Sequence, residues 1–189
     1  MKHTQWPDGK TRCSWANPAN PLYLAYHDTE WGQPLHDERR LLELLILENF
    51  QAGLSWEGVL NKREAFRRAF ANFDQETISA WGSTEVDRLM LDDSIIRNRL
   101  KIAAAIGNAK IFREIARERR SFGNYIWSWT EGKTVHESCR VKSPLSEAVS
   151  RDLRKRGMKF VGNVIVYSYL QAAGIIYSHE PGCFLYRPG

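Results

Sequence analysis

Four cysteine and histidine residues near the two ends of the chain have the chemistry of a metal site. His179 and Cys183 are separated by three residues near the C-terminus, and Cys13 and His27 lie near the N-terminus. Two thiolates and two imidazoles are the ligand set of closed structural zinc sites, in which four protein ligands leave no open position for catalysis. Spacing alone favours the alternative, in which these residues are a surface histidine and two buried cysteines, because the two halves lie far apart in sequence.

Glu48 is the only ionisable residue between Glu43 and Glu57, and it lies at the end of a strongly apolar run. A carboxylate in apolar surroundings loses its hydration and needs a partner or a cationic ligand. This pattern is compatible with a carboxylate that meets such a partner or ligand. It is equally compatible with a side chain that reaches solvent at a helix end or caps a neighbouring turn.

Several aromatic residues lie in or beside the same segments, and the whole chain has seven tryptophans. Aromatic faces stack on flat bases and attract cations. Taken alone, aromatics at this density more often fill a protein core. The residues concerned are Trp15, Tyr23, Tyr26, Trp31 and Trp56.

Two basic turns are candidates for contact with phosphate. Arg97, Arg99 and Lys101 lie at the start of a predicted helix, where backbone amides and cations together suit an anion. The segment RDLRKRGMKFVG adds further cations, Arg154, Lys155, Arg156 and Lys159. Either turn could be only a solvated face. The chain has 27 Lys and Arg against 22 Asp and Glu, which gives a net charge of +5 and a pI of about 9.2. Because two basic turns occur in a protein of this charge, we expect a nucleic-acid partner.

The apolar spacing is helical almost throughout, and the predicted fold class is all-α. Period-two alternation is absent, and residues 130–142 are predicted to form a polar loop. Helices are expected from Asp37 to Phe50, from Ser55 to Phe70, over a short stretch from Asp74, from Asn98 to Arg119, from Ser143 to Gly157 and from Asn163 to Ala173.

Composition indicates a folded cytoplasmic protein. No apolar run approaches the roughly 18–20 residues that span a bilayer, and the N-terminal MKHTQWPDGK lacks the apolar segment of a signal peptide. Three cysteines at long separations favour metal ligation or buried thiols over disulfides, and Cys139 is expected to be an inert thiol. EGKT at 131–134 lacks the glycine spacing of a phosphate loop.

Taken in order, five motifs resemble those of the 3-methyladenine DNA glycosylase I family of bacterial base-excision repair. They are RCSW, NPLYLAYHDTEWG, LENFQAGLSW, RGMKFVGNVIVYSYLQAAG and HEPGC, and they extend from Arg12 to Cys183. The resemblance implies a helix-hairpin-helix glycosylase fold with one structural zinc per chain. It implies a single unit over residues 1–189, in which segments 12–36 and 174–189 are joined by the zinc. Residues 37–173 would then form the helical core, with the hairpin near 92–99.

The resemblance also implies the site residues. The zinc ligands are expected to be Cys13, His27, His179 and Cys183. Glu48 corresponds to the base-recognising glutamate, and Tyr23, Tyr26, Trp31, Trp56 and, less directly, Trp15 correspond to aromatic positions around the base. Gly53 and Leu54 fall in the loop that presses into DNA, and the phosphate contacts are expected to be Arg97, Arg99, Lys101, Lys155 and Lys159.

The implied activity is hydrolysis of the bond between 3-methyladenine and deoxyribose. The expected partners are double-stranded alkylated DNA and the free base as product, with no membrane partner and a monomeric protein. Methylation at N3 gives adenine a positive charge and weakens its bond to the sugar, so that the enzyme must chiefly bend the duplex, extrude the nucleotide and hold the base. No catalytic aspartate is assigned.

The hairpin departs from the family pattern, because Ser94 and Leu100 stand where similar sequences often have glycine. Asn163-Val164 also replaces the usual hydroxyl residues. These departures motivate an alternative, a non-catalytic zinc-stabilised binder of damaged DNA.

Overall fold

The computed structural model describes residue 6, residues 8–138 and residues 140–188, so Cys139 lies outside the described residues. Within this part the chain is mostly helical. The α-helices are α1 (Pro21–Thr29), α2 (Glu38–Gln51), α3 (Trp56–Leu60), α4 (Arg63–Ala69), α5 (Gln75–Ser79), α6 (Ser83–Met90), α7 (Arg99–Arg119), α8 (Phe122–Ser128), α9 (Pro144–Lys155) and α10 (Asn163–Ala172). A 3₁₀ turn (Ala71–Phe73) and the strands β1 (Val135–His136) and β2 (Ile176–Tyr177) complete the described elements.

Helix α2 lies at the centre of the fold. Every residue from Leu41 to Phe50 is buried, because α3, α7, α8 and α10 all pack against this helix. The sequence is apolar around most of the helix, as a fully surrounded helix requires. The Asp37 side chain begins the helix by accepting a hydrogen bond of 2.9 Å from the backbone N–H of Arg40. The predicted buried helix is therefore confirmed.

Two expectations about the secondary structure were wrong. The helix expected from Ser55 to Phe70 is interrupted after Leu60, and α4 begins at Arg63. The expected polar loop of residues 130–142 also contains a short strand, since Val135 pairs with Ile176 and His136 with Tyr177 in a parallel strand pair, whereas the predicted helical class agrees with the mostly helical fold. Strands of two residues are too short to produce a readable alternation of apolar and polar positions. Among the described residues, no helix is long and apolar enough to cross a membrane.

Backbone hydrogen bonds hold the segment after α1 against the segment after α10. The Leu35 N–H donates to the Ala173 carbonyl at 3.1 Å, and the Gly32 N–H donates to the Gln171 carbonyl at 3.1 Å. Gly174 has φ +69°, and a Cβ at this position would lie 2.3 Å from the carbonyl carbon and oxygen of Gln33. The contact between the two segments therefore requires glycine here.

We predict that Gly174→Ala destabilises the fold by more than about 3 kcal/mol, because the added Cβ meets rigid backbone in a left-handed conformation. Gly132→Ala is the matched control, since Gly132 has φ +75° and a Cβ there would lie within 4 Å of no atom in the described part of the chain. The free energy of unfolding of the control should fall by only about 1–2 kcal/mol, the cost of placing alanine in a left-handed conformation. Urea unfolding of both variants measures the difference, and equal losses would contradict the close approach.

Candidate functional site

The four predicted metal ligands come together in the structure. Cys13, His27, His179 and Cys183 are all buried, and their ligand atoms lie within 4.8 Å of one another. Helix α1 supplies His27, whereas the other three ligands lie on the terminal segments. The sequence separation that counted against a metal site is thus bridged by the fold.

The distances between ligand atoms agree with tetrahedral coordination. His179 Nδ1 lies 3.4 Å from Cys13 Sγ and 3.6 Å from Cys183 Sγ, and His27 Nε2 lies 3.6 Å from Cys183 Sγ. Tetrahedral zinc with bonds of about 2.3 Å to sulfur and 2.0–2.1 Å to nitrogen gives sulfur–nitrogen separations of about 3.6 Å. The residues present therefore fit a metal ion of this size.

A second set of contacts orients the ligands. Asp28 Oδ1 lies 2.7 Å from His27 Nδ1, which directs Nε2 of the same ring toward the cysteines. Burial opposes ionisation of Asp28, but hydrogen bonds from Arg12 and His27 outweigh it and lower the pKa of Asp28. The backbone N–H of Glu180 donates to Cys13 Sγ at 3.4 Å. Such contacts are typical of the surroundings of metal ligands.

Burial sets the protonation states of the ligands. It lowers the pKa of His179 to about 4, which keeps the imidazole neutral, the form that binds metals. Burial also raises the pKa of the Cys13 thiol, so a thiolate at this position would need a neighbouring cation. The buried group can bind a metal ion.

A cavity of about 360 Å³ lies beside the metal ligands and collects all the predicted base-binding residues. This volume is at the small end of the range for small-molecule sites, about 300–1,000 Å³. The lining residues are Trp15, Tyr23, Tyr26, Trp31, Glu48, Gln51, Trp56, Arg140, Val141, Ser168, Gln171, Ser178 and Glu180.

The aromatic walls contact one another and the metal ligands. Trp15 packs against Tyr23 with ring centroids 5.2 Å apart and against Trp31 at 5.0 Å, while Tyr26 packs against Trp56 at 5.4 Å. Trp31 also makes an edge contact with the His179 ring at 4.7 Å. The cavity and the metal ligands are therefore parts of one continuous cluster.

Glu48 is the buried carboxylate among the residues that line this cavity. Its exposed fraction is 2%, and its Oε2 has no hydrogen-bond partner among the described residues. Burial raises the pKa of Glu48 well above its ordinary value. Such a group favours a ligand that offers hydrogen-bond donors or a positive charge.

Two further polar groups in the cavity also lack partners among the described residues. Gln51 Oε1 and Trp56 Nε1 are buried, and neither forms a hydrogen bond there. Gln51 did not emerge from the sequence as a site residue, although it follows Glu48 by three positions on α2 and so shares its helical face. The cavity thus combines aromatic walls with several unsatisfied polar atoms, as a site for a flat polar ligand requires.

The predicted insertion residues lie at the end of α2, close to Glu48 in sequence. Gly53 has φ +79°, and Leu54 exposes 50% of its surface. An exposed leucine on a turn directly after the helix is available to enter another molecule.

The predicted phosphate contacts lie on two turns. Arg97 is exposed between α6 and α7, and Arg99 is exposed but pairs with Asp87 at 2.7 Å. Lys155 is exposed at the end of α9, and Lys159 is exposed in the turn of residues 156–162, which connects α9 to α10. Both turns join two helices, so both have the outline of a helix–turn–helix connection.

Lys101 requires a correction. Its exposed fraction is 6%, and its ammonium donates to the carbonyls of Phe50 at 2.8 Å and Ala52 at 2.6 Å. The prediction that Lys101 binds phosphate is therefore wrong in this structure. The side chain points inward because Lys101 shares the buried face of α7 with Ala105, Asn108 and Phe112.

Comparison with known proteins agrees with this site. The family model for methyladenine glycosylase matches residues 15–186. The DNA-3-methyladenine glycosylase 1 of Escherichia coli K12 is 43% identical over 185 residues, which cover 94% of this chain and 97% of that protein. The DNA-3-methyladenine glycosylase of Haemophilus influenzae is 36% identical, over 92% of this chain and 96% of that protein.

Solved structures agree with these relatives. A crystal structure of 3-methyladenine DNA glycosylase I has a TM-score of 0.89 and 42% identity, and it covers 93% of this chain and 100% of that one. The enzyme of Staphylococcus aureus, solved to explain 3-methyladenine recognition, has a TM-score of 0.87 and 35% identity over 92% of this chain and 95% of its own. The chain therefore belongs to the methyladenine glycosylase family.

Proposed function

We propose that this protein is a DNA glycosylase that removes 3-methyladenine from alkylated duplex DNA. It hydrolyses the bond between base and sugar and leaves an abasic site. The observation that carries the proposal is the buried carboxylate of Glu48 inside an aromatic cavity, whose Oε2 has no hydrogen-bond partner in the described part of the chain. The names of the relatives support the same chemistry.

The cavity can recognise a cationic base by charge and by shape. An ionised Glu48 has a large desolvation cost, which a positively charged base offsets and a neutral adenine does not. The amino group of adenine can also donate a hydrogen bond to this carboxylate. Stacking on aromatic walls contributes about 1–3 kcal/mol per base and adds affinity for any flat base. We infer that Glu48 supplies the discrimination and that the walls supply much of the binding energy.

The reaction needs little more from the protein than this binding. N3 methylation already weakens the bond to the sugar, so holding the departing base in the cavity favours its release. We propose that Leu54, on the turn formed with Gly53, fills the gap left by the extruded nucleotide. Arg97, Arg99, Lys155 and Lys159 would hold the DNA backbone from the two helical connections.

We propose that the metal bound by Cys13, His27, His179 and Cys183 is zinc, one ion per chain. The donor set and the sulfur–nitrogen distances of 3.4–3.6 Å support zinc. Bound zinc would join the two ends of the chain and would have no open position for a substrate. The chemistry of base release is therefore assigned to Glu48 and its neighbours.

Glu48→Gln should reduce release of 3-methyladenine from methylated DNA by about 10- to 100-fold. This corresponds to loss of a hydrogen bond to a charged group, about 1.5–3 kcal/mol. Glu114→Gln, on the exposed face of α7, is the control and should keep the wild-type rate. Release is measured by chromatography of the free base under single-turnover conditions. A wild-type protein that binds damaged duplex without releasing base would instead identify a non-catalytic binder.

Glu48→Gln should also stabilise the free protein at neutral pH. Because burial raises the folded-state pKa of Glu48, ionisation favours the unfolded state once the pH exceeds the unfolded value near 4.5. The native protein is therefore penalised at pH 7–8 and not below about pH 4, where both states hold the proton. For a chain of this size, each 1 kcal/mol gained in the free energy of unfolding raises the Tm by about 2–4 °C. Thermal unfolding at several pH values should show a Tm gain for the variant that vanishes in acid.

Purified protein should contain about one zinc per chain by metal analysis, and chelation should lower its Tm. His179→Gln should lose the metal and several degrees of Tm, because a neutral amide replaces a buried imidazole ligand. His36→Gln is the matched control, since His36 is exposed and lies outside the cluster. Metal-free protein with an unchanged Tm would refute the structural role of zinc.

A further inference from the structure

The buried ammonium of Lys101 lies where three parts of the molecule meet. Its side chain comes from the first turn of α7, and it donates to the carbonyls of Phe50 and Ala52 at the C-terminal end of α2. Phe160, on the turn of residues 156–162, has its ring centroid 6.0 Å from the Lys101 Nζ. One side chain thus contacts α2 and lies against the turn that carries Lys159.

The partners of Lys101 are unusual for a buried cation. Among the described residues, no carboxylate lies within ion-pair distance of its ammonium, although nearly the whole side chain is buried. Burial lowers the pKa of Lys101, because it disfavours the charged form. The carbonyls at the end of α2 carry the negative end of the helix dipole and compensate the charge in place of a carboxylate. Such an arrangement fixes the position of a helix end.

Two buried asparagines extend the same junction. Asn108 of α7 donates to the Lys159 carbonyl at 2.9 Å and accepts from the Lys159 N–H at 2.9 Å. Asn49 of α2, with its amide oriented to satisfy its neighbours, donates to the Phe160 carbonyl at 3.1 Å and accepts from Asn108 at 2.6 Å. The backbone of the 156–162 turn is therefore bonded to both α2 and α7.

We propose that Lys101 is a positioning residue that holds the insertion loop, residues 52–54, in register with the 156–162 turn. The loop begins at Ala52, whose carbonyl accepts from Lys101, and it continues to the exposed Leu54. When the 156–162 turn docks on a DNA backbone, the same junction sets where Leu54 enters the duplex. This inference rests on the proposed function for its substrate but not for its geometry.

Lys101→Met removes the ammonium and keeps an apolar stem of similar length. Lys110→Met is the matched control, because it removes one positive charge from the exposed side of the same helix. The DNA is a duplex that contains a stable abasic-site analogue, with 2-aminopurine in the opposite strand at that position. The fluorescence of the 2-aminopurine then reports insertion of Leu54. The 2-aminopurine signal needs no glycosylase activity. Binding of free 3-methyladenine is measured separately by tryptophan fluorescence.

We expect Lys101→Met to bind the abasic duplex within about threefold of Lys110→Met by anisotropy. Its 2-aminopurine response should be lost, and its single-turnover release of 3-methyladenine should fall at least tenfold, with free-base binding unchanged. A fluorescence response and rate equal to those of Lys110→Met would overturn the proposal. Loss of free-base binding together with the response would overturn it too, since Lys101 would then support the whole cavity.

Two further controls keep the test decisive. If Lys101→Met lacks a cooperative thermal transition, Lys101→Gln is measured in the same way, and its amide can donate to one of the two carbonyls. That variant should give an intermediate response, and a wild-type response would overturn the proposal. If wild-type protein releases no 3-methyladenine, the proposed function fails, while the 2-aminopurine signal still decides the role of Lys101.

Discussion

The site depends on keeping one carboxylate, that of Glu48, buried with no hydrogen-bond partner among the residues that the structure describes. A group of this kind destabilises a free protein, because ionisation in apolar surroundings is unfavourable. It persists here because α2 is packed on all sides and cannot turn Glu48 toward water without disturbing the core. The hydrophobic core therefore holds Glu48, the proposed recognition group, in place, and the stability of the core offsets the free-energy cost of burying this carboxylate.

The terminal segments also contribute aromatic walls to the cavity. Trp31 contacts both the cavity and the His179 ring, and Trp15 contacts both Tyr23 and the His27 ring. Moving the ligand histidines would therefore move two aromatic walls. Although the proposed zinc would have no open position for a substrate, the integrity of the Cys/His group affects the shape of the cavity through these edge contacts.

Sequence motifs were sufficient to predict the helical class, the four clustered cysteines and histidines, and the five aromatic residues and Glu48 that line part of the cavity. They were insufficient where tertiary packing decides. Lys101 was grouped with Arg97 and Arg99 by proximity in sequence, whereas the helical period places it on the buried face with Asn108. The strand pair at Val135 and Ile176 was missed because two residues give no pattern. Gln51 was missed because a glutamine at a helix end has many ordinary roles.

The cations of the two helical connections differ in exposure, because Lys155 and Lys159 are exposed whereas Lys101 is buried. Lys155 and Lys159, the proposed phosphate contacts at one connection, are exposed, and solvent and salt screen contacts of this kind. A cation buried among carbonyls is screened much less, so it can maintain a fixed distance between two structural elements in any salt concentration. In the proposed reaction Glu48 would require that kind of precision, because an extruded base would have to reach it while Leu54 fills the gap. Attraction between cations and DNA phosphates is equal at every nucleotide, so it cannot by itself align the protein with one nucleotide. A rigid junction between the 156–162 turn and α2 can.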